Sequence, residues 1–280
     1  MGTGKVYLVG AGPGHPKLIT VRGLECMQEA DVIIYDRLAG PDLLTYASPD
    51  AELIYCGKFP RSHTLRQERI NQLLVEKARE GKVVTRLKGG DPLIFGRGGE
   101  EAEWLAAHGI PFEIVPGVTA AAGAAAAAGI PLTHRAYASS LAVVTGHAGE
   151  EGECCPETGA PTAGRHGIEC EQTWAALAGG VDTLVFYMGM NRLGDICRSL
   201  IRHGRTPTTP VAVIQWATTP KQKLVTGTLE TIEQRVQESG IGAPAVIVVG
   251  EVVRIRDRLQ KSMAFHAAGL APLSGGGQQG

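Results

Sequence analysis

The sequence is poor in aromatic residues and has almost no net charge. Phe, Trp and Tyr make up 5% of the 280 residues, whereas hydrophobic residues make up 44%, so the core must be built from aliphatic side chains. The 27 basic and 28 acidic residues give a formal net charge of −1. This balance argues against a general electrostatic affinity for nucleic acid, and we expect no nucleic-acid partner.

The chain also lacks the marks of a membrane or secreted protein. No apolar run reaches the roughly 18 residues that a membrane-spanning helix needs, and we expect no membrane partner. The N-terminus has no basic segment followed by an apolar core, the pattern of a secretory signal. The six cysteines are scattered, and the adjacent Cys154 and Cys155 do not suit a disulfide framework. These features predict reduced thiols and a cytoplasmic location.

One loop concentrates residues that could ligate a metal. Cys154, Cys155, His166 and Cys170 lie in a stretch rich in Gly and Glu that has no hydrophobic periodicity. Their spacing matches no zinc template, so we interpret the loop as an insertion and predict no metal site.

Short β-branched runs alternate with helical patterns along the first half of the chain. The patterns predict strands at 5–9, 31–35, 53–55, 83–85 and 112–115, with helices at about 18–30, 65–78, 100–107 and 120–128. Repeated βα units of this kind predict a doubly wound sheet whose polar loops share one edge.

The alternation resumes after residues 131–140, which we interpret as a linker. Strands are predicted at 141–145, 182–188, 211–216, 223–227 and 245–250, the last continued by Val252 and Val253. The expected fold is therefore two α/β domains, at 1–134 and 135–262. Residues 263–280 are low in complexity and are predicted to form a disordered tail.

The stretch from Val83 to Glu101 combines a strand, a charged loop and a helix start. Two glycine pairs in it let the backbone approach a ligand closely or adopt a positive φ. Such a loop at the carboxyl end of a strand is where an open α/β sheet binds its ligand.

A second glycine-rich loop follows the first strand at Gly10–Gly14. A dinucleotide fingerprint would need glycine where His15 stands, and Pro13 lacks the N–H that a phosphate would use. We therefore disfavour a nucleotide-dependent oxidoreductase, which remains one alternative.

Charged residues follow the predicted strands. Asp36 and Lys58 could form a proton-handling pair, although either one alone would be taken as a solvated loop charge. A basic edge is expected from Arg37, Lys58, Arg86, Lys88, Arg97 and Arg135. Because Arg grips anionic groups with two hydrogen bonds, this edge indicates a substrate with several carboxylates or phosphates.

Six segments carry a family resemblance that covers most of residues 5–259. The chain resembles the uroporphyrinogen-III C-methyltransferases, within the larger tetrapyrrole methylase family, in VYLVGAGPGHPKLIT, ADVIIYDRL, VTRLKGGDPLIFGRGGEEAEWL, IPFEIVPGVTAAAGAAAAAGIPLTHR, LVFYMGM and PAVIVVGEVV. The most discriminating part is GGDP followed by FGRGGEE, whereas GAGPG is shared across the wider family.

The resemblance implies a homodimer of two α/β domains of the tetrapyrrole methylase type, with S-adenosyl-L-methionine bound in an interdomain cleft. It implies two successive methyl transfers to uroporphyrinogen III, giving precorrin-2 on the route to sirohaem, cobalamin and haem d1. The substrate is a polycarboxylate, which agrees with the predicted basic edge. Relatives fused to a dehydrogenase–ferrochelatase module have an additional N-terminal domain, so we expect this chain to be monofunctional.

Roles for individual residues follow from the motifs of this family. Contact with S-adenosyl-L-methionine is implied for Pro13, Gly89, Gly90, Asp91, Ile94, Thr119, Ala120 and Met188, and further for Ala217 and Ala245. Asp36 and Lys58 match a proton acceptor and donor. Arg97, Glu100 and Arg135 match residues for substrate binding and deprotonation. The identity of the base stays open: Asp36 is chemically easier, whereas Arg97 would need a strongly lowered pKa.

Other functions remain as alternatives. A related methyltransferase could act on another corrin precursor, or on an RNA or protein, and a non-catalytic protein could sense the methyl donor. The loop at 148–171 and the tail after Leu259 depart from the family pattern without touching its motifs.

Overall fold

The computed structural model describes residues 2–57, 67–146 and 171–259. These residues form two compact units, one ending at Gly123 and the other starting at Ala124, each with a five-stranded sheet. The domain boundary after residue 134 stays a prediction. The cysteine-rich loop and the tail at 263–280 lie outside the described residues.

The sheet of the first unit is parallel throughout. Its strands are β1 (Lys5–Gly10), β2 (Val32–Tyr35), β3 (Glu52–Tyr55), β4 (Val83–Lys88) and β5 (Phe112–Val115). They run in the order β3-β2-β4-β1-β5, and each neighbouring pair is parallel, as predicted. All five carboxyl ends therefore meet at one edge, which we call the first edge.

Helices cover both faces of this sheet. They are α1 (Val21–Gln28), α2 (Gln67–Arg79) and α3 (Gly98–Ala107). Helix α4 (Ala120–Ala128) follows β5 and contains the boundary between the two units. Successive strand residues point to opposite faces, so Leu8 packs with Leu74 of α2 and Leu105 of α3, whereas its neighbour Val9 packs in the cluster that holds Met27 of α1. Two buried faces explain why these strands are almost continuously apolar.

The sheet of the second unit is mixed. Its strands are β6 (Leu141–Thr145), β7 (Thr183–Tyr187), β8 (Pro210–Gln215), β9 (Lys223–Thr228) and β10 (Ala245–Val249). In the order β6-β7-β10-β8-β9, β6 and β7 are parallel, while the other three neighbouring pairs are antiparallel. The carboxyl ends of β7 and β8 thus lie beside the start of β10, at what we call the second edge.

The helices of the second unit are α5 (Glu171–Gly180), α6 (Leu193–Arg202), α7 (Ile232–Ser239) and α8 (Ile255–Leu259). Its core joins Phe186 and Ile247 of the sheet to Trp174, Leu200 and Val236. Among the described residues, no helix is long and apolar enough to cross a membrane.

One predicted strand extension is wrong. Val252 and Val253 belong to a 3-10 helix, Glu251–Arg254, rather than to β10. Gly250 ends the strand with φ 147°, a conformation that L side chains rarely adopt, and a Cβ there would meet the Asp182 carbonyl oxygen at 2.7 Å.

Candidate active site

Three glycines lie close together at the first edge. Gly10 ends β1, Gly90 follows β4 and Gly117 follows β5. A Cβ on Gly10 would lie 2.5 Å from the Gly117 Cα and 2.7 Å from the Gly90 oxygen. Gly12 and Gly90 also exchange backbone hydrogen bonds of 3.1 and 2.7 Å. The glycine-rich loops after β1 and β4 therefore pack against each other, which explains their glycines by backbone approach.

Asp91 fastens the loop after β4. Its Oδ2 accepts a hydrogen bond from the Gly117 N–H at 3.0 Å, and its Oδ1 accepts one from the Leu93 N–H at 2.9 Å. The carboxylate thus ties the ends of β4 and β5 together, a structural role that its sequence position did not reveal.

The other candidates for binding the methyl donor in this unit gather around the same loops. Pro13 is half-buried after Gly12, and Gly89 is so close to Leu38 that a Cβ would meet the Leu38 Cβ at 2.5 Å. The Cβ position of Gly90 lies 3.5 Å from the backbone nitrogen of Ala120, which follows Thr119 at the start of α4. Ile94 is 41% exposed in the loop after β4.

Arg97 and Glu100 form an exposed, two-pronged ion pair at the start of α3. Arg97 Nε lies 2.9 Å from Glu100 Oε1, and Arg97 Nη2 lies 2.6 Å from Glu100 Oε2. The side chains are 55% and 53% exposed. This hydrogen bonding lowers the pKa of Glu100 and raises the pKa of Arg97. A raised pKa makes Arg97 unsuited to act as a base, but its fork suits it to bind a carboxylate.

Asp36 is held at both carboxylate oxygens at the end of β2. Oδ1 accepts a hydrogen bond from the Leu38 N–H at 2.9 Å and caps a short 3-10 helix. Oδ2 lies 3.4 Å from Arg86 Nη2, and the side chain is 29% exposed. Lys58 lies outside the described residues, so its pairing with Asp36 stays a prediction.

The predicted basic edge needs a correction. Arg86 and Lys88 are each only 4% exposed, because β4 continues to Lys88 instead of ending at residue 85. Both contact Glu101 of α3, which is fully buried. Arg37, Arg97 and Arg135 are exposed, as expected for residues that meet an anionic ligand.

Sequence reasoning missed Glu101. Its carboxylate accepts hydrogen bonds from Arg86, Lys88 and the Gln67 amide. The sequence did contain a signal for the burial of Glu101. It stands four residues before the buried Leu105 and therefore on the same face of α3.

The second edge brings its three candidates together. Met188 follows β7 and Ala217 follows β8 shortly after Gln215, which pairs with Ala245 at the start of β10. Met188 is 56% exposed, and the Trp216 N–H donates a 3.3 Å hydrogen bond to the Pro244 carbonyl. Arg135 lies before β6, beside the bridge between His134 and Ala138.

Backbone strain is concentrated next to these candidates. Among the described residues, non-glycine positive φ angles occur at Phe95 (53°), Arg97 (59°), Met188 (54°), Trp216 (47°) and Thr218 (66°). Each lies in the loop after β4, β7 or β8. Strained backbone of this kind clusters at ligand-binding sites, so its position supports the candidate residues independently of their motifs.

The fold and these loops define the class of the protein: two α/β units with glycine-rich or left-handed loops at strand ends and without a dinucleotide fingerprint. Within the described ranges, no group of three or more His, Cys, Asp or Glu residues could hold a metal ion.

Comparison with known proteins agrees with this class. Residues 5–233 match the family model of the Tetrapyrrole (Corrin/Porphyrin) Methylases. The chain belongs to the tetrapyrrole methylase family.

Individual relatives are similar to this chain over most of its length. The chain is 55% identical over 250 residues to a uroporphyrinogen-III C-methyltransferase of Priestia megaterium, covering 89% of this chain and 98% of the relative. It is 52% identical over 259 residues to a siroheme synthase of Pseudomonas paraeruginosa. This alignment covers 92% of this chain but only 52% of the longer relative. A crystal structure of the uroporphyrin-III C-methyl transferase of Thermus thermophilus with S-adenyl homocysteine has 40% identity and a TM-score of 0.71, covering 90% of this chain and all of that one.

Proposed function

We propose that the protein transfers two methyl groups in succession from S-adenosyl-L-methionine to uroporphyrinogen III, giving precorrin-2. The observation that carries this proposal is the 55% identity to the Priestia megaterium enzyme over 98% of that enzyme's length. The exposed Arg97–Glu100 pair beside the loop after β4 supports it, because an Arg fork fits a polycarboxylate substrate.

The residues predicted to hold the methyl donor fit such a ligand. Gly89, Gly90, Thr119 and Ala120 are small residues near the ends of β4 and β5, and Met188 presents an exposed thioether side chain. S-adenosyl-L-methionine would supply a methyl group already activated on a sulfonium. The protein's task is therefore mostly to position the tetrapyrrole carbon and to receive a proton.

Each methyl transfer adds a methyl group to a ring carbon and releases one proton from the macrocycle. We assign acceptance of that proton to Asp36, because its carboxylate is partly exposed at the first edge while the pKa of Arg97 is raised. Arg97 and Arg135 would bind the carboxylates of the substrate, Glu100 would hold the Arg97 guanidinium in place, and Lys58 would return a proton.

The test is an anaerobic assay of purified protein with uroporphyrinogen III and S-adenosyl-L-methionine. We expect two molecules of S-adenosyl-L-homocysteine per tetrapyrrole and a dimethylated product after oxidation. Methylation of a later corrin precursor in place of uroporphyrinogen III would contradict the substrate assignment. Binding without turnover would instead indicate a sensor of the methyl donor.

Two further features belong to the proposal. We expect a cytoplasmic location, because the relatives of this chain are biosynthetic enzymes. A homodimer is expected, and light scattering of the purified chain checks it: a mass of one chain of 29.4 kDa would contradict it.

A further inference from the structure

A buried charge cluster, formed by Arg86, Lys88 and Glu101, lies next to the first edge. Glu101 Oε1 accepts hydrogen bonds from Lys88 Nζ at 2.9 Å and Arg86 Nε at 3.3 Å. The Gln67 amide of α2 donates to the same oxygen at 3.0 Å. The cluster therefore joins β4, α2 and α3 through one carboxylate.

Arg86 extends from this cluster to Asp36. Its Nη1 donates to the carbonyl oxygens of Ile34 at 3.3 Å and Leu87 at 3.0 Å. Its Nη2 lies 3.4 Å from Asp36 Oδ2. The guanidinium is thus fixed by the two backbone oxygens and by Glu101, and it presents the remaining nitrogen to the carboxylate.

Stability alone does not account for the cluster. Buried ion pairs lose much of their attraction to desolvation, and apolar side chains often pack as well or better. The same face of β4 is already apolar at Val84, which packs with Leu74 and Leu105. In addition, Glu101 Oε2 is buried and accepts no hydrogen bond from a described residue. These features favour a role at the neighbouring site.

We propose that Arg86, held by Glu101, positions the Asp36 carboxylate so that it can accept the proton released during methyl transfer. This inference rests on the proposed function, in which Asp36 is the acceptor. Arg86 does not lose its own proton and so cannot relay one, which makes it a positioning residue.

The groups around Asp36 set the direction of the expected effects. Arg37 follows it in the chain, Arg86 and Lys88 come from β4, Glu101 comes from α3, and the Cys56 thiol lies at the end of β3. Burial lowers the pKa of Lys88, and repulsion by Arg86 lowers it further, so Lys88 is the weaker source of positive charge.

The experiment compares Arg86→Met with Arg86→Lys. We expect Arg86→Met to lower kcat about tenfold at neutral pH, with KM for uroporphyrinogen III nearly unchanged, because substrate-binding groups stay intact. The acidic limb of the kcat profile should move to higher pH, because a carboxylate ionises less readily without a nearby cation. Arg86→Lys should restore part of kcat and of the limb position.

Glu101→Gln provides a change of opposite sign. Removing the buried negative charge strengthens the positive potential at Asp36, so the acidic limb should move to lower pH. Arg79→Met, on the exposed part of α2, makes the same substitution outside the cluster and should leave the profile unchanged. Profiles that do not move, or that move in the same direction in Arg86→Met and Glu101→Gln, overturn the proposal.

Double variants with Asp36→Asn separate this proposal from the proposed function. If Arg86 acts through Asp36, Arg86→Met should lower kcat no further in the Asp36→Asn background. The midpoints of urea unfolding can be measured without substrate for the wild type, the two single variants and the double variant. The shifts of the midpoint caused by the two substitutions should be non-additive. If the wild type transfers no methyl group, the proposed function fails, while additive urea midpoints would overturn the positioning role. Should Arg86→Met not fold, Arg86→Lys completes the same cycle.

Discussion

The two sheet edges bring different chemistry to one protein. The first edge collects the carboxyl ends of five parallel strands, and its candidates include the charged Asp36, Asp91, Arg97 and Glu100. At the second edge, strand ends meet a strand start, and the candidates Met188, Ala217 and Ala245 are uncharged. Apart from Arg135, which lies before β6, the charged candidates among the described residues are thus concentrated at the first edge, whereas the candidates at the second edge are uncharged.

The largest expected effect is on activity at the first edge. Arg97→Ala should lower kcat/KM about 100-fold, because it removes the guanidinium that we propose binds the substrate carboxylates. Binding of S-adenosyl-L-homocysteine, followed by calorimetry, should stay unchanged.

The second unit offers a matched control for that variant. Arg198 forms a similar exposed pair with Asp195, at 2.6 Å and with the same three-residue spacing. Arg198→Ala should leave turnover unaffected. A comparable loss of turnover in both variants would contradict the assignment of charge chemistry to the first edge.

Gly10→Ala should produce the largest loss of stability. The added methyl group would meet the Gly117 backbone at 2.5 Å, and backbone cannot move aside as a flexible side chain can. We expect the free energy of unfolding in urea to fall by about 2–3 kcal/mol. Gly179→Ala in α5 has open space around it and should instead raise that free energy by about 0.5–1 kcal/mol. Equal effects of the two substitutions would show that the glycine junction is not tight.

Met188→Gly separates strain from binding at the second edge. Met188 has φ 54°, so glycine should relieve strain and raise the free energy of unfolding by about 1 kcal/mol. Loss of the contact that we propose for its side chain should at the same time weaken binding of S-adenosyl-L-homocysteine about fivefold. Calorimetry and urea unfolding of one preparation measure both, and tighter binding would remove Met188 from the site.

The smallest effect is a pH dependence in the second unit. Asp182 accepts hydrogen bonds from the backbone and side chains of Ser139 and Ser140, which lower its pKa to about 2. Because the pKa of the folded state is depressed, this stabilisation is present above the unfolded value near 3.8 and is lost as pH falls toward 2. The difference in stability between the wild type and Asp182→Asn should therefore shrink below pH 4. A difference that is constant from pH 6 to pH 2 would contradict it.

Regular elements were predictable where a short apolar or alanine-rich run alone indicates them. The strands β5 and β6 and the helix α4 have the bounds that their apolar runs indicated. By contrast, β4 continues through Arg86 and Lys88, because Glu101 compensates their charges from another element. A local pattern carries no information about such a partner, so two buried cations were assigned to an exposed loop.

The sequence by itself determined the α/β alternation, the glycine-rich loops and the family, because these depend on residue type and spacing along the chain. The tertiary structure decided strand direction in the second sheet, the tight contact of Gly10 with Gly117, and the burial of Arg86 beside Asp36. Each of these depends on which distant segments meet, and the free energy of a buried charge or a backbone contact is set by those neighbours.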